Sequence, residues 1–274
     1  MNTASFFEKL WNAYCEKTPS ALKVKTLLQN EGNTVYNDHI AIRTFDDPRT
    51  DISIIAKPFI AMGYVEKGEY HFKAKKLYAK HFEHPDDTNA PKIFISQLLL
   101  SEFSNTLRQN IKNILDTVDS SLFNDTELIL KGRVWDKPSY SIYTELQTES
   151  EYAAWMYVNG FCSNHFTVDV NKLDTFKSLS SVNKFLKSHH FKMNTSGGEI
   201  KGSAEQFLEQ SSILADTIPT QFIEGSFTIT SCYYEFAYRY AQKDGSLFTG
   251  FIANSADKIF ESTDMNLQNK QQTN

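Results

Sequence analysis

Two short strands with the same beginning constrain this chain more than anything else in it. The run Asp38-His39-Ile40-Ala41-Ile42-Arg43-Thr44-Phe45 alternates, so Ile40 and Ile42 share an apolar face and His39, Ala41 and Arg43 share the other. Asn164-His165-Phe166-Thr167-Val168-Asp169-Val170 does the same, with His165, Thr167 and Asp169 opposite Phe166, Val168 and Val170. The two histidines lie close to half of the 274-residue chain apart. The segments after the two strands are also alike. A helix-like stretch (54–62 in one half, 174–190 in the other) leads to turn sequence at Gly63-Tyr64 or Gly197-Gly198. Each half then closes on a β-rich segment with a polar residue in apolar company, Gln97 within 92–98 and Glu235 within 232–238. The pattern reads as a β-α-β-β-β unit used twice, by divergent duplication. It predicts a single α+β domain over 1–274, with modules at about 36–100 and 160–260, a helical N-terminal segment and a helical connector over 101–159.

Two imidazoles and one carboxylate from three separate strands suit a mononuclear metal site. Imidazole accepts iron, zinc, nickel or copper, and a two-histidine, one-carboxylate face with open positions is typical of non-haem Fe(II) oxygenases. A 2-oxo acid can then chelate through its keto and carboxylate oxygens while O2 takes the last position. Glu235 is the carboxylate candidate, because a lone charge in an aromatic strand is costly to bury without a partner. An ion pair of Glu235 with Arg239 or Arg133 is the alternative. Arg43 shares the strand face of His39, roughly 13 Å away along a strand. Its guanidinium suits the two-pronged grip of a substrate carboxylate. Gln97, at the matching place in the first half, is a candidate weak fourth ligand, ligand-orienting residue or substrate contact. Arg133 is a candidate second anion contact, beside a Trp135 that anchors a loop.

Composition narrows the partners. At 41% hydrophobic and 22% charged residues the chain is an ordinary globular protein, and a net charge of −5 without a basic run argues against nucleic acid. The cluster Lys73, Lys75, Lys76 and Lys80 reads as a solvated helix face that could also attract an anionic substrate. Three cysteines without CxxC spacing fit a reducing cytoplasm, and neither a signal peptide nor a membrane span is expected. Helices are expected over 3–30, from an aromatic stripe beginning at Phe6 and Phe7, over 101–118, and from a serine cap at Ser203 onward. His81-Phe82-Glu83-His84 reads as a helix-capping cluster. His189 and His190 diverge on a helix, His71 belongs to a strand, and the polar tail 264–274 is expected to fray.

The run His39-Ile40-Ala41-Ile42-Arg43-Thr44-Phe45 resembles the first metal motif of the 2-oxoadipate dioxygenase/decarboxylase family. The stretches Trp155 to Val168 and Tyr233 to Arg239 resemble its later motifs, and the likeness extends to Phe260-Glu261-Ser262-Thr263. The resemblance implies a vicinal-oxygen-chelate-like fold, two βαβββ modules forming a metal-centred half-open barrel with peripheral helices. It implies iron on His39, His165 and Glu235, and a substrate carboxylate on Arg43. Characterised members are longer, so substrate contacts in their additional segments have no counterpart here. The implied reaction is Fe(II)-dependent oxidative decarboxylation and hydroxylation of a 2-oxo acid with O2, 2-oxoadipate giving 2-hydroxyglutarate in lysine breakdown. The same fold also supports a lyase, isomerase or hydrolase using zinc, nickel or manganese as a Lewis acid, or a small-molecule binding protein without turnover.

Overall fold

The computed structural model describes residues 3–263, so the expectation for the tail 264–274 lies outside the described residues. The N-terminal helical run divides in two, α1 (Thr3–Lys17) and α2 (Pro19–Asn30), because Pro19 lacks an N–H and starts a helix better than it continues one. The first half then runs β1 (Asn37–Phe45), α3 (Ile52–Ile55), α4 (Lys57–Ala61), β2 (Val65–Phe72), β3 (Leu77–Glu83) and β4 (Lys92–Leu98). A connector comes next, with α5 (Asn105–Asp116), α6 (Tyr140–Glu149) and α7 (Glu151–Asn159). Serines cap all three connector helices, Ser104 for α5, Ser139 for α6 and Ser150 for α7, each accepting an N–H of the first turn. The second half is β5 (Ser163–Asp169), α8 (Leu179–Ser188), β6 (Lys201–Ser203), β7 (Leu208–Ser212), the hairpin β8 (Thr217–Phe222) and β9 (Gly225–Thr230), and β10 (Tyr233–Arg239). Helix α9 (Ala253–Phe260) closes the described chain.

Eight strands form one sheet in the order β2-β3-β4-β1-β5-β10-β7-β6. Its two halves have the same internal order, and they meet where β1 runs antiparallel to β5. In each half the histidine strand pairs in parallel with the last strand, β1 with β4 and β5 with β10. Such parallel pairing needs a long crossover, which the intervening helix and hairpin supply. The hairpin turns match as well. A three-residue 3-10 turn ends on a left-handed residue, Lys76 at φ +53° in the first half and Phe207 at φ +63° in the second.

These turns overrule two helix expectations. Lys73–Lys75 belong to the β2–β3 turn, with Lys80 on β3, so the lysines do not form a helix face. Ser203 caps nothing with its side chain, and Phe207 turns the chain straight into β7. His81 and Glu83 are likewise strand residues of β3. His81 is buried between the Tyr70 hydroxyl and the Glu83 carboxylate, each 2.9 Å from a ring nitrogen. Pro85 therefore ends a strand there and not a helix.

The core lies between the sheet and its helices. Phe6, Leu10 and Tyr14 of α1 and Val24 and Leu28 of α2 are buried on it, and Phe166 of β5 packs between Trp11 and Tyr14. The Tyr14 hydroxyl donates to the Tyr233 carbonyl at 2.5 Å, tying α1 to the start of β10. Gly160 turns α7 into β5 at φ +68°, where a Cβ would come within 2.3 Å of the Arg133 Cα and the Gly132 carbonyl, so only glycine fits.

Candidate metal centre

Strand phase delivers three side chains to one point inside the sheet. His39 faces inward from β1, His165 from β5 and Glu235 from β10, all buried. One ligand atom of each lies within 4.8 Å of the others. His39 Nε2 is 3.5 Å from Glu235 Oε1, and His165 Nε2 is 3.2 Å from Glu235 Oε2. Two donors held at about 2.1 Å from one ion at right angles lie roughly 3 Å apart, so these spacings fit an ion between them.

Neighbours fix each imidazole in the form a metal needs. Asp38 Oδ1 is 2.7 Å from His39 Nδ1 and can only accept, so Nδ1 carries the proton and Nε2 offers its lone pair. The Thr167 hydroxyl donates to that Nε2 at 3.1 Å. Asn164 Oδ1 accepts from His165 Nδ1 at 3.0 Å and orients the second ring in the same way. Burial lowers the pKa of both histidines, and proximity to the His39 ring and the Arg43 guanidinium lowers His165 further. Both shifts favour the neutral ring, the form that offers a lone pair to a metal.

Glu235 carries the clearest mark of a missing partner. Gln210 Nε2 donates to Oε1 at 2.6 Å, while the buried Oε2 has no hydrogen-bond partner among the described residues. Burial pushes this carboxyl up to about 8, with Gln210 opposing. A cation would supply what the site lacks, and a donor set of two imidazoles and a carboxylate suits Fe(II), Zn, Ni or Mn. Phe94, Phe251, Ile259 and Phe260 wall the three clustered side chains and leave a void of about 10 Å³.

The alternative partners of Glu235 are engaged elsewhere. Arg239 grips Asp38 with Nε and Nη2 at 2.6 and 2.9 Å, and its Nη1 donates to the carbonyls of Phe248 and Gly250. Burial would raise Asp38, yet Arg239 and His39 hold it well below the usual carboxylate range. Arg133 donates to the Val158 carbonyl behind the Gly160 turn and does not line the centre. Trp135 anchors its loop, donating to the Tyr157 carbonyl.

Gln97 does not join the cluster either. In the β1–β4 register Ala41 opposes Phe94, whereas Gln97 opposes Thr44. In the β5–β10 register Thr167 opposes Glu235. Phe94 therefore occupies the position that corresponds to Glu235, and Gln97 lies an odd number of residues away on the other face. Its Oε1 accepts the Ile52 N–H at 3.1 Å. His71 is on β2 as expected, exposed, with its ring tilted against that of Tyr78.

Arg43 is 2% exposed and lies between the rings of Tyr152 and Trp155, 4.7 and 4.8 Å from their centroids. Nη1 meets Glu151 Oε1 at 3.2 Å, Nη2 donates to Thr263 Oγ1 at 3.0 Å, and Nε has no partner among the described residues.

A family model described as 2-oxoadipate dioxygenase/decarboxylase matches residues 7–247. The chain belongs to that family. A family relative from Oryza sativa subsp. japonica, named 2-oxoadipate dioxygenase/decarboxylase, chloroplastic/amyloplastic, is 34% identical over 91% of this chain and 75% of its own length. Its namesake from Arabidopsis thaliana, named chloroplastic, is 31% identical over 94% of this chain and 78% of its own. Among solved structures, the hydroxyglutarate synthase of Oryza sativa in complex with 2-oxoadipate superposes with a TM-score of 0.92 at 33% identity, covering 97% of this chain and 93% of that one. A Shewanella frigidimarina protein with only a provisional description as a hydrolase superposes at 0.87 with 46% identity, over 91% of this chain and 97% of its own. A glyoxalase-superfamily protein from Ralstonia eutropha, at 0.72 and 19% identity over 88% of this chain and 83% of its own, bears out the vicinal-oxygen-chelate-like fold alone.

Sequence reasoning missed the residues that hold the three clustered side chains. Asp38 and Asn164 each precede a histidine, and that shared spacing was the available signal. Gln210 had none, since only the β7–β10 pairing brings it in, and Arg239, weighed as a partner of Glu235, reaches Asp38 across β5 instead. Among the described residues no helix is long and apolar enough to cross a membrane, and the three cysteines are free.

Proposed function

We propose that this protein catalyses the metal-dependent oxidative decarboxylation and hydroxylation of a 2-oxo acid, 2-oxoadipate and O2 giving 2-hydroxyglutarate and CO2. The observation that carries the reading is the buried His39–His165–Glu235 cluster with its orphaned Glu235 Oε2. The relatives' names supply the substrate class. Bound there, Fe(II) would supply the electrons that activate O2.

The chain's own residues do the rest. Asp38 and Asn164 hold the two imidazoles with Nε2 inward, and Gln210 turns the Glu235 carboxylate so that Oε2 faces the same point. With Phe94 opposite Ala41 and Gln97 on the other face, no fourth ligand among the described residues competes for the positions that an acid and O2 require. Arg43 holds a substrate carboxylate and so fixes which carbon is presented for hydroxylation. The void of about 10 Å³ holds no more than one water, so the aromatic wall of Phe251 and Phe260 must yield to admit substrate. Once it closes again, the same wall excludes bulk water from the reaction.

The same reading assigns the reaction to lysine breakdown and the protein to the cytoplasm, while the names of the plant relatives place those proteins in plastids. Elemental analysis of freshly purified protein, with subsequent anaerobic reconstitution with Fe(II), tests it. Fe(II) alone should restore turnover of 2-oxoadipate in air. Equal activity with Zn under anaerobic conditions would replace this reading with Lewis-acid chemistry.

A further inference from the structure

Arg43 is almost inaccessible, yet its counter-ion is not. Glu151 is 20% exposed, and it lines a surface cleft of about 250 Å³ with Lys75, Lys76, Phe103 and Tyr152. The contact between the two is poor for a buried guanidinium. A single oxygen sits at 3.2 Å from Nη1, where charge-assisted pairs prefer about 2.7–2.9 Å and two prongs. Nε has no partner among the described residues and Nη2 meets only the neutral Thr263 hydroxyl at 3.0 Å, so Glu151 does not form a two-pronged pair with the guanidinium. Glu149, two residues earlier in the same cleft, is by contrast fully engaged, accepting from the Ser104 N–H and hydroxyl at 2.7 and 2.6 Å.

From this we infer that Glu151 is a displaceable stand-in for the substrate's carboxylate. It neutralises Arg43 in the resting protein, and it yields into the Lys75–Lys76 cleft when a substrate acid takes the guanidinium. The released carboxylate has favourable surroundings. Glu151 is the first residue of α7, where the helix N-terminus stabilises a negative charge, and the cleft wall carries two lysines. The arrangement neutralises a buried cation through a single long contact, and every substrate must win the resulting competition. Glu151 is thus a positioning and affinity-setting residue that never touches the reacting atoms. The inference rests on the reading that Arg43 binds a substrate carboxylate.

The test uses full-length, metal-loaded protein under anaerobic conditions, where 2-oxoadipate binds without turnover, and calorimetry reads Kd. Glu151→Gln keeps shape and removes the charge, so binding should tighten roughly tenfold, the fold-change of one charge-assisted contact no longer contested. Glu151→Asp, one methylene shorter, should tighten it in the same direction, which guards against a folding defect in either variant. In an Arg43→Ala background the Glu151→Gln gain should vanish. Unchanged or weaker binding in both Glu151 variants would make Glu151 a permanent structural partner and overturn the inference. So would a gain that persists without Arg43. Arg43→Ala alone reports on the underlying reading: if it leaves Kd untouched, Arg43 does not bind substrate, whatever Glu151 does.

Discussion

Replacing Asp38 by asparagine separates the roles of the residues behind the ligands. Asp38 performs two tasks with two oxygens. Oδ1 accepts the His39 Nδ1–H and one Arg239 N–H, while Oδ2 accepts the other Arg239 N–H. All three side chains are at most 4% exposed. Asparagine keeps the shape but removes the charge, and its NH2 group must face either His39 or Arg239, both of which donate. Stripping one partner from a buried ion pair costs roughly 3–5 kcal/mol. Arg239 keeps the Phe248 and Gly250 carbonyls at 3.0 and 2.8 Å, so the lower end, about 3 kcal/mol, is expected. On the metal side, losing the carboxylate that fixes a ligand imidazole costs tenfold to a hundredfold in affinity, roughly 1.4–2.8 kcal/mol. Urea unfolding of metal-free protein reads the first quantity, and competition with a chelator reads the second. Asp38→Asn with undiminished metal affinity would refute the claim that Asp38 sets the tautomer of His39.

Three further outcomes are expected from the geometry. His39→Ala should lose both bound metal and activity, whereas Arg43→Ala should keep the metal and lose ten- to a hundredfold in substrate affinity, roughly 1.5–3 kcal/mol; metal loss on Arg43→Ala would make Arg43 structural. Arg43→Lys should recover only part of that affinity, because an ammonium lacks the planar fork, and recovery in full would contradict a two-pronged contact. Glu224 accepts from Ser139, Tyr140 and Ser141 at the start of α6, and these bonds lower its pKa to about 2 from 4.5. Its contribution to stability is therefore complete above pH 4.5 and lost as pH falls toward 2, so the stability gap between wild type and Glu224→Gln should shrink over that window. A gap that does not change with pH there would mean that Glu224 acts by packing.

Much of this architecture was legible in the sequence because a period of two is a strong signal wherever a strand is buried on one face. It placed His39 and His165 on inward faces, and the aromatic company of Glu235 marked a charge that needs a partner. The same signal failed at Gln97, where counting from the segment and not from the β1–β4 register landed on the wrong face. An error of one residue in phase inverts every side chain, and only the pairing with Ala41 identifies Phe94 as the counterpart of Glu235. Ser203 failed for a different reason. A serine before Ala-Glu-Gln is an adequate helix start locally, but the sheet required a hairpin, and Phe207 at positive φ turned the chain back. Asp38 with Arg239, and Gln210 with Glu235, depend on contacts between strands far apart in sequence, which no local pattern encodes.

The most direct test of the central claim is the stoichiometry of the Fe(II)-loaded enzyme with 2-oxoadipate, measured with an oxygen electrode and CO2 capture. One O2 should be consumed for each CO2 released, with 2-hydroxyglutarate formed in equal amount. Release of CO2 without oxygen uptake, or no turnover of any 2-oxo acid by metal-replete protein, would contradict the assignment of this centre to oxidative decarboxylation.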